Sequence, residues 1–185
     1  MTAVDLESAR DANPNIEQLA EEFGLEKLLS VVYEAKSYTW TLMEMIEQGR
    51  HGTFDFCYID GAHNWDTDGF AFFLVDKLLK KGGWIVFDDL DWTYNESPAL
   101  KNTDFVKKMP KPEKETKQVR KVFELLVQQH PSYDLFKEDS GWGFAQKVAE
   151  DNVVNFTNKS KTVVVEKHVG IGAFLEKIVK IIIKK

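Results

Sequence analysis

Residues 54–92 read FDFCYIDGAHNWDTDGFAFFLVDKLLKKGGWIVFDDLDW, and this stretch contains the clearest pattern of strands and helices in the chain. It opens with a short apolar run, Phe54–Ile59, of the kind that forms a strand buried on both faces of a sheet. A helical pattern follows from Asp66 to Lys80, and Gly82-Gly83 is predicted to end that helix. Trp84–Phe87 is a second apolar run. This order and spacing predict two parallel strands joined by a right-handed crossover.

An acidic turn follows each of these two strands. Asp60 and His63 come after the first strand, and Asp88 and Asp89 come after the second. Because parallel strands end at the same edge of a sheet, we expect these four side chains to lie together. Open α/β sheets bind their ligands at that edge, so the pattern favours a chemical site over a bare scaffold.

The helix between the two strands is rich in phenylalanine. Phe70, Phe72 and Phe73 fall among leucines at helical spacing. We therefore expect all three in the hydrophobic core rather than against a cofactor.

The rest of the chain also alternates strands and helices. The predicted elements are strands at Thr2–Leu6 and Leu28–Tyr33, helices at Asn13–Gly24, Thr39–Gln48 and Val119–Gln129, and an antiparallel hairpin of Tyr133–Phe136 with Trp142–Gln146. Thr93–Lys117 is polar and is predicted to be a long loop over the acidic edge. A linker at Ala149–Lys161, a strand at Thr162–Lys167 and a basic helix at Ala173–Lys184 follow. This order predicts a doubly wound, mostly parallel α/β sheet closed by a C-terminal antiparallel hairpin.

Composition narrows the possible functions. The 185 residues suffice for one α/β domain, predicted at residues 1–148, with residues 149–185 as an addition. The net charge of −6 argues against a nucleic-acid partner, which would need a basic face. Cys57 is the only cysteine, which excludes a disulfide framework and a thiolate zinc site. Neither a secretion signal nor an apolar run of membrane-spanning length is evident, so we expect a cytoplasmic protein without a membrane span.

The segments IDGAH (residues 59–63) and KKGGWIVFDD (residues 80–89) resemble one family of enzymes. They are similar to the small metal-dependent O-methyltransferases of the class I S-adenosylmethionine-dependent fold, and to the cephalosporin-hydroxylase-like proteins of the same Rossmann-like fold. The resemblance covers roughly residues 2–148. It implies S-adenosylmethionine as cofactor, Mg²⁺ or another divalent cation, and methyl transfer to an oxygen of a small hydroxylated substrate.

The same resemblance suggests a role for each candidate site residue. The implied metal ligands are Asp60, Asp88 and Asp89, and the implied general base is His63. The implied acceptor of the ribose hydroxyls is Asp5, with Glu7 as the alternative. The adenine is expected to contact Ser37 and Tyr38, with Trp40 as a stacking face. Asp60 is also expected to contact the cofactor. Plainer interpretations stay open: Ser37 as a helix cap, Asp88 and Asp89 as a loop pair, and His63 as a loop residue stacked on Trp65.

The sequence departs from the family at its beginning. The family places an earlier strand and a glycine-rich turn before the segment that resembles Thr2–Leu6, and that turn contacts the methionine part of the cofactor. This sequence begins at the following strand. The strands near Val4 and Val31 are therefore expected to lack a central neighbour, and unpaired buried backbone is costly.

Three explanations of this departure stay open. Met1 could be an internal start within a longer enzyme. Alternatively, the tail Thr162–Lys184, which carries Glu166, Gly170 and Gly172, could refill the centre by permutation or by segment exchange in a homo-oligomer. Finally, the fold could tolerate the gap, or a partner chain could fill it. The corresponding alternative functions are an incomplete, non-catalytic methyltransferase-like subunit and a hydroxylase-like enzyme of the same fold.

Overall fold

A computed structural model describes residues 1–149 of the chain. The strands are β1 (Thr2–Leu6), β2 (Ser30–Glu34), β3 (Phe54–Ile59), β4 (Leu79–Phe87), β5 (Tyr133–Asp139) and β6 (Trp142–Lys147). The helices are α1 (Ile16–Glu22), α2 (Thr39–Glu47), α3 (Trp65–Leu78), α4 (Asp104–Lys108), α5 (Lys111–Glu115) and α6 (Gln118–Val122). A 3₁₀ turn at Glu7–Asp11 follows β1, and a π-helical turn at Phe123–Val127 continues α6.

The strands form two sheets. In the larger sheet the order is β3-β4-β6-β5; β3 and β4 are parallel, whereas β6 runs antiparallel to both β4 and β5. In the smaller sheet β1 and β2 are parallel. The predicted α/β fold with parallel strands and a C-terminal antiparallel hairpin is confirmed.

Among the described residues, the edges of β1 and β3 that face away from β2 and β4 pair with no strand. The strands near Val4 and Val31, β1 and β2, pair with each other along their whole length. Among the described residues neither has a second neighbour, and β3 and β5 also pair with a single strand each. The prediction that β3 is buried on both faces is wrong, because Phe56 is 57% exposed and Tyr58 is 43% exposed.

Helix α3 packs its buried stripe against the larger sheet. Ala71, Phe72, Val75 and Leu78 belong to this stripe, and Phe72 is completely buried. Phe70 and Phe73 lie outside it and are 54% and 46% exposed, so their prediction as core residues is wrong. The helical period explains the difference, because one side of the helix meets the sheet and the other does not.

The end of α3 also differs from the prediction. The helix ends at Leu78, and Leu79 is already paired with Phe54 in the sheet. The next paired positions are Phe56 and Trp84, so residues 80–83 form an irregularity in β4 rather than a helix end. Gly82 has φ +85°, a conformation that favours glycine, which explains its place in this irregularity.

The segment predicted as a long loop contains two short helices, α4 and α5. They enclose a small apolar cluster of Tyr94, Val106 and Met109, and Trp92 packs against it. The prediction of an irregular loop is therefore wrong for the residues of these two five-residue helices. Within the described residues, no helix is long and apolar enough to cross a membrane. The predicted linker, strand and helix at 149–184 lie outside the described residues, apart from Ala149.

Two neighbouring phenylalanines provide a matched test of this packing. Phe72→Ala should lower the free energy of unfolding by about 3–5 kcal/mol, because it leaves a cavity in the core. Phe73→Ala removes the same group from a half-exposed position and should cost less than about 1.5 kcal/mol. Urea denaturation followed by circular dichroism would measure both values. Equal losses would contradict the packing of α3 described here.

Candidate active site

The turn after β3 brings a histidine to the sheet edge. His63 has φ 55°, in the left-handed region, and its ring is mostly buried. Its Nε2 atom lies 2.8 Å from Oδ2 of Asp89 and 3.5 Å from Oδ1 of Asp60. The parallel pairing of β3 with β4 therefore brings the two acidic turns together, as their position after parallel strands implies.

The two aspartates after β4 have different surroundings. Asp89 also has a left-handed φ, 56°, and its carboxylate faces His63. The Asp88 carboxylate accepts a hydrogen bond from the Tyr58 hydroxyl and another from the backbone N–H of Asp89 at 2.7 Å. Among the described residues, Asp60, His63 and Asp89 form a group whose ligand atoms lie within 4.8 Å of one another. Asp88 is not part of this group.

Negative charge accumulates at this edge. Partial burial raises the pKa of Asp60, whereas His63 lowers it and the carboxylates of Asp88, Asp89 and Asp5 raise it further. The contribution of Asp5 indicates that the ends of β1 and β3 share one electrostatic environment. A cation bound between these half-exposed carboxylates would relieve their mutual repulsion.

Aromatic rings limit one side of the histidine. The rings of His63 and Trp92 have their centroids 4.9 Å apart, and Trp92 in turn meets Tyr94 at 4.7 Å. The segment after β4 thus contributes an ordered wall to the site. The stacking partner is Trp92 rather than Trp65, the partner considered from the sequence. The Trp65 backbone N–H instead donates to the Gln118 side chain at 2.8 Å.

The two acids at the end of β1 are not equivalent. Both oxygens of Glu7 accept from the Arg10 guanidinium, at 2.9 and 3.4 Å. Asp5 is half-buried, and one of its oxygens accepts from the backbone N–H of Leu6 at 2.7 Å. The pairing of Glu7 with Arg10 makes Asp5 the more available acceptor for a ribose.

The residues after β2 border an apolar groove. Ser37 and Trp40 line it together with Met43 and Phe70, and its volume is about 510 Å³. The Ser37 hydroxyl lies 2.9 Å from that of Thr39 and accepts from the Thr39 backbone N–H at 3.2 Å. The N-cap of α2 is Tyr38, and no side chain caps this helix, so Ser37 is not its cap. The groove offers an aromatic face and a polar rim, as a purine site requires.

Tyr38 is directed elsewhere. Its hydroxyl donates to Oδ1 of Asp68 at 2.5 Å, and burial together with that carboxylate strongly raises the pKa of the phenol. Tyr38 therefore does not line the groove, and its contact with adenine stays a prediction. Sequence reasoning missed Asp68. Its position in the first turn of a helix resembles an ordinary acidic residue at a helix N-terminus, so only the neighbouring Gly61 hints at a close approach.

Comparisons with solved structures identify the fold. The O-methyltransferase TomG from Streptomyces achromogenes, solved in complex with S-adenosylmethionine, matches with TM-score 0.53 and 18% identity over 80% of this chain. A protein from Staphylococcus aureus described as a caffeoyl-CoA O-methyltransferase matches with TM-score 0.51 and 19% identity over 79% of this chain. Identities this low establish the fold alone, which is the α/β fold that these two structures share.

A family comparison agrees with the fold. The family model for a methyltransferase domain matches residues 1–90, a range that includes both acidic turns. The match covers just under half of the chain. The chain spans about three fifths of its structural neighbours, covering 61% of TomG and 63% of the S. aureus protein. No curated protein sequence matches the chain significantly.

Asp60 and Asp91 have pKa values that are shifted in opposite directions, so substituting each of them tests the charge distribution at this edge. The pKa of Asp60 is raised in the folded state, so its ionised form destabilises the protein once the pH exceeds that pKa. Asp60→Asn should therefore increase the free energy of unfolding at pH 7 slightly, by less than about 1 kcal/mol. Thermal denaturation at pH 7 would detect the change.

Asp91 supplies the matched control. Hydrogen bonds from Lys117 and Arg120 lower its pKa, so its stabilisation is present above the ordinary aspartate pKa and is lost as the pH falls through the lowered one. Asp91→Asn should make the protein slightly less stable at pH 7. If both substitutions shift stability in the same direction, the assignment of charge at this edge is wrong.

Proposed function

We propose that the domain transfers a methyl group from S-adenosylmethionine to an oxygen of a small hydroxylated molecule. The observation that carries the proposal is the group of Asp60, His63 and Asp89 at the carboxyl edge of a methyltransferase fold. A histidine between two carboxylates is suited to remove a proton from a hydroxyl.

His63 is the proposed base, and the geometry indicates its reactive atom. An ionised carboxylate only accepts hydrogen bonds, so the 2.8 Å contact with Asp89 assigns the imidazole proton to Nε2. The lone pair then lies on Nδ1, which takes the substrate proton as the oxygen–methyl bond forms and the methyl–sulfur bond breaks. Asp89 stabilises the resulting imidazolium and fixes the ring's orientation.

The carboxylates of Asp60 and Asp89 are the proposed holders of Mg²⁺. Both are about half exposed, so their oxygens leave room for the waters that Mg²⁺ retains. The raised pKa of Asp60 fits a site in which a cation offsets repulsion between acids. When bound, the ion would lower the pKa of a substrate hydroxyl. We propose that Asp88 supports this site from outside, through its hydrogen bonds to Tyr58 and to the Asp89 backbone.

S-adenosylmethionine supplies the electrophilic methyl group when bound. Asp5 is the proposed ribose acceptor, because Glu7 is paired with Arg10. The apolar groove beside Ser37 and Trp40 is the proposed adenine site. The chain's own task is to align the acceptor oxygen with the methyl carbon and to exclude water, which Trp92 assists by covering His63.

A second candidate rests on the split sheet. The free edges of β1 and β3, with Phe56 exposed beside them, favour a domain that needs another segment before it can bind the cofactor. In the family, the corresponding position holds the strand that leads into the glycine-rich turn. The predicted tail segment with Gly170 and Gly172 lies outside the described residues, so its part in this stays a prediction.

Calorimetric titration of the full chain with S-adenosylmethionine, with and without Mg²⁺, tests the proposed function. Micromolar binding followed by methyl transfer to a catechol-type acceptor would support a complete enzyme. A folded chain that binds no cofactor would contradict the claim of an enzyme active by itself. It would favour the second candidate.

Paired substitutions test the metal ligands. Asp89→Asn should weaken Mn²⁺ binding by at least about tenfold, because it removes a ligand charge, whereas Asp88→Asn should weaken it less. His63→Ala should retain Mn²⁺ binding but lose methyl transfer by about 10²- to 10⁴-fold, the usual contribution of a general base. Electron paramagnetic resonance of Mn²⁺ would measure the affinities. A larger effect at Asp88 than at Asp89 would contradict the assignment.

A further inference from the structure

A buried carboxylate holds the turn that carries His63. Asp68 is almost completely buried in the first turn of α3. Its Oδ1 accepts from the backbone N–H of Ala62 at 2.9 Å and from the Tyr38 hydroxyl at 2.5 Å. Its Oδ2 accepts from the backbone N–H of Asn64 at 3.0 Å. The two backbone donors flank His63 on either side.

This arrangement is not needed to cap the helix. The N-cap of α3 is Asn64, whose side chain accepts from the Thr67 backbone N–H at 2.7 Å. Both Asp68 oxygens instead point back into the preceding turn. The hydrogen bond from the Asn64 N–H resembles the return bond of a capping box, but those from Ala62 and Tyr38 come from outside the helix, and capping does not account for them.

The fit around this carboxylate is tight. A Cβ atom at Gly61 would lie 2.2 Å from Oδ1 of Asp68 and 2.4 Å from the Tyr38 hydroxyl. Contacts that short do not occur, so any larger residue at position 61 would displace the Asp68 or Tyr38 side chain. Tyr38 belongs to the start of α2, and its hydrogen bond therefore links the segment after β2 to the turn after β3.

We propose that Asp68, completed by Tyr38, is the positioning residue for His63. By fixing the backbone on both sides of a histidine in the left-handed region, it holds the imidazole between Asp60 and Asp89. A single left-handed residue is strained, and it persists where surrounding hydrogen bonds determine it. The catalytic part of this inference rests on the proposed function, whereas the structural part does not.

The test compares three full-length variants. Asp68→Asn retains the shape but replaces one acceptor oxygen with a donor, so at least one of the three hydrogen bonds is lost. Tyr38→Phe removes one donor and keeps both backbone bonds. Asp66→Asn is the matched control, an exposed aspartate in the same helical turn. Two-dimensional NMR at a temperature well below unfolding would report the His63 ring signals and their nuclear Overhauser contacts with Trp92.

We expect Asp68→Asn to shift the His63 signals and to weaken the contact with Trp92. Tyr38→Phe should have the same effects to a smaller extent, and Asp66→Asn should leave both unchanged.

For methyl transfer, Asp68→Asn should lower kcat by about 10- to 100-fold, as expected for a misplaced catalytic group, and change the cofactor KM by less than about twofold. Unchanged His63 signals in folded Asp68→Asn, or in Tyr38→Phe if the first variant does not fold, would overturn the proposal. If the wild-type chain transfers no methyl group, the proposed function fails, but the NMR result still decides the positioning role.

Discussion

The parallel pairing of β3 with β4 is the constraint on which the candidate site depends. It brings the turn that carries Asp60 and His63 to the same edge as the turn that carries Asp89, and the buried stripe of α3 fixes the crossover between them. A shift of one residue in this pairing would turn every side chain of a strand to the opposite face. The completely buried Ile85 and Phe87 therefore secure the register on which the 2.8 Å contact depends.

Much of this could be predicted from the sequence, because the signals are local. The apolar run at β3, the helical spacing of α3 and the acidic turns correctly predicted a strand–helix–strand unit with its polar groups at one edge. Burial could not be predicted equally well. Phe56, Phe70 and Phe73 are apolar, yet their exposure depends on which elements are present on each side of them, and no local pattern contains that information. Asp68 was missed because its partners come from two places in the chain, the turn at Ala62 and Asn64 and the distant Tyr38.

The split sheet and the acidic edge each lower the stability of the fold, for different physical reasons. Unpaired strand edges at β1 and β3 leave backbone groups without sheet partners, which favours association with a further strand. At the acidic edge, partial burial and the neighbouring carboxylates raise the pKa of Asp60, and the crowded negative charge favours a cation. Stability and function are thus linked, since both features would be relieved by binding: one by a segment, the other by an ion.

A crystal structure of the full chain grown with Mn²⁺ and S-adenosylmethionine, with an anomalous difference map collected at the manganese edge, tests the central claim most directly. We expect an anomalous peak within about 2.0–2.3 Å of carboxylate oxygens from Asp60 and Asp89, with the Asp88 carboxylate still accepting from Tyr58. Cofactor density should lie beside Asp5 and Trp40. A well-ordered edge without an anomalous peak, or a peak held by Asp88 alone, would show that Asp60 and Asp89 are not the metal ligands.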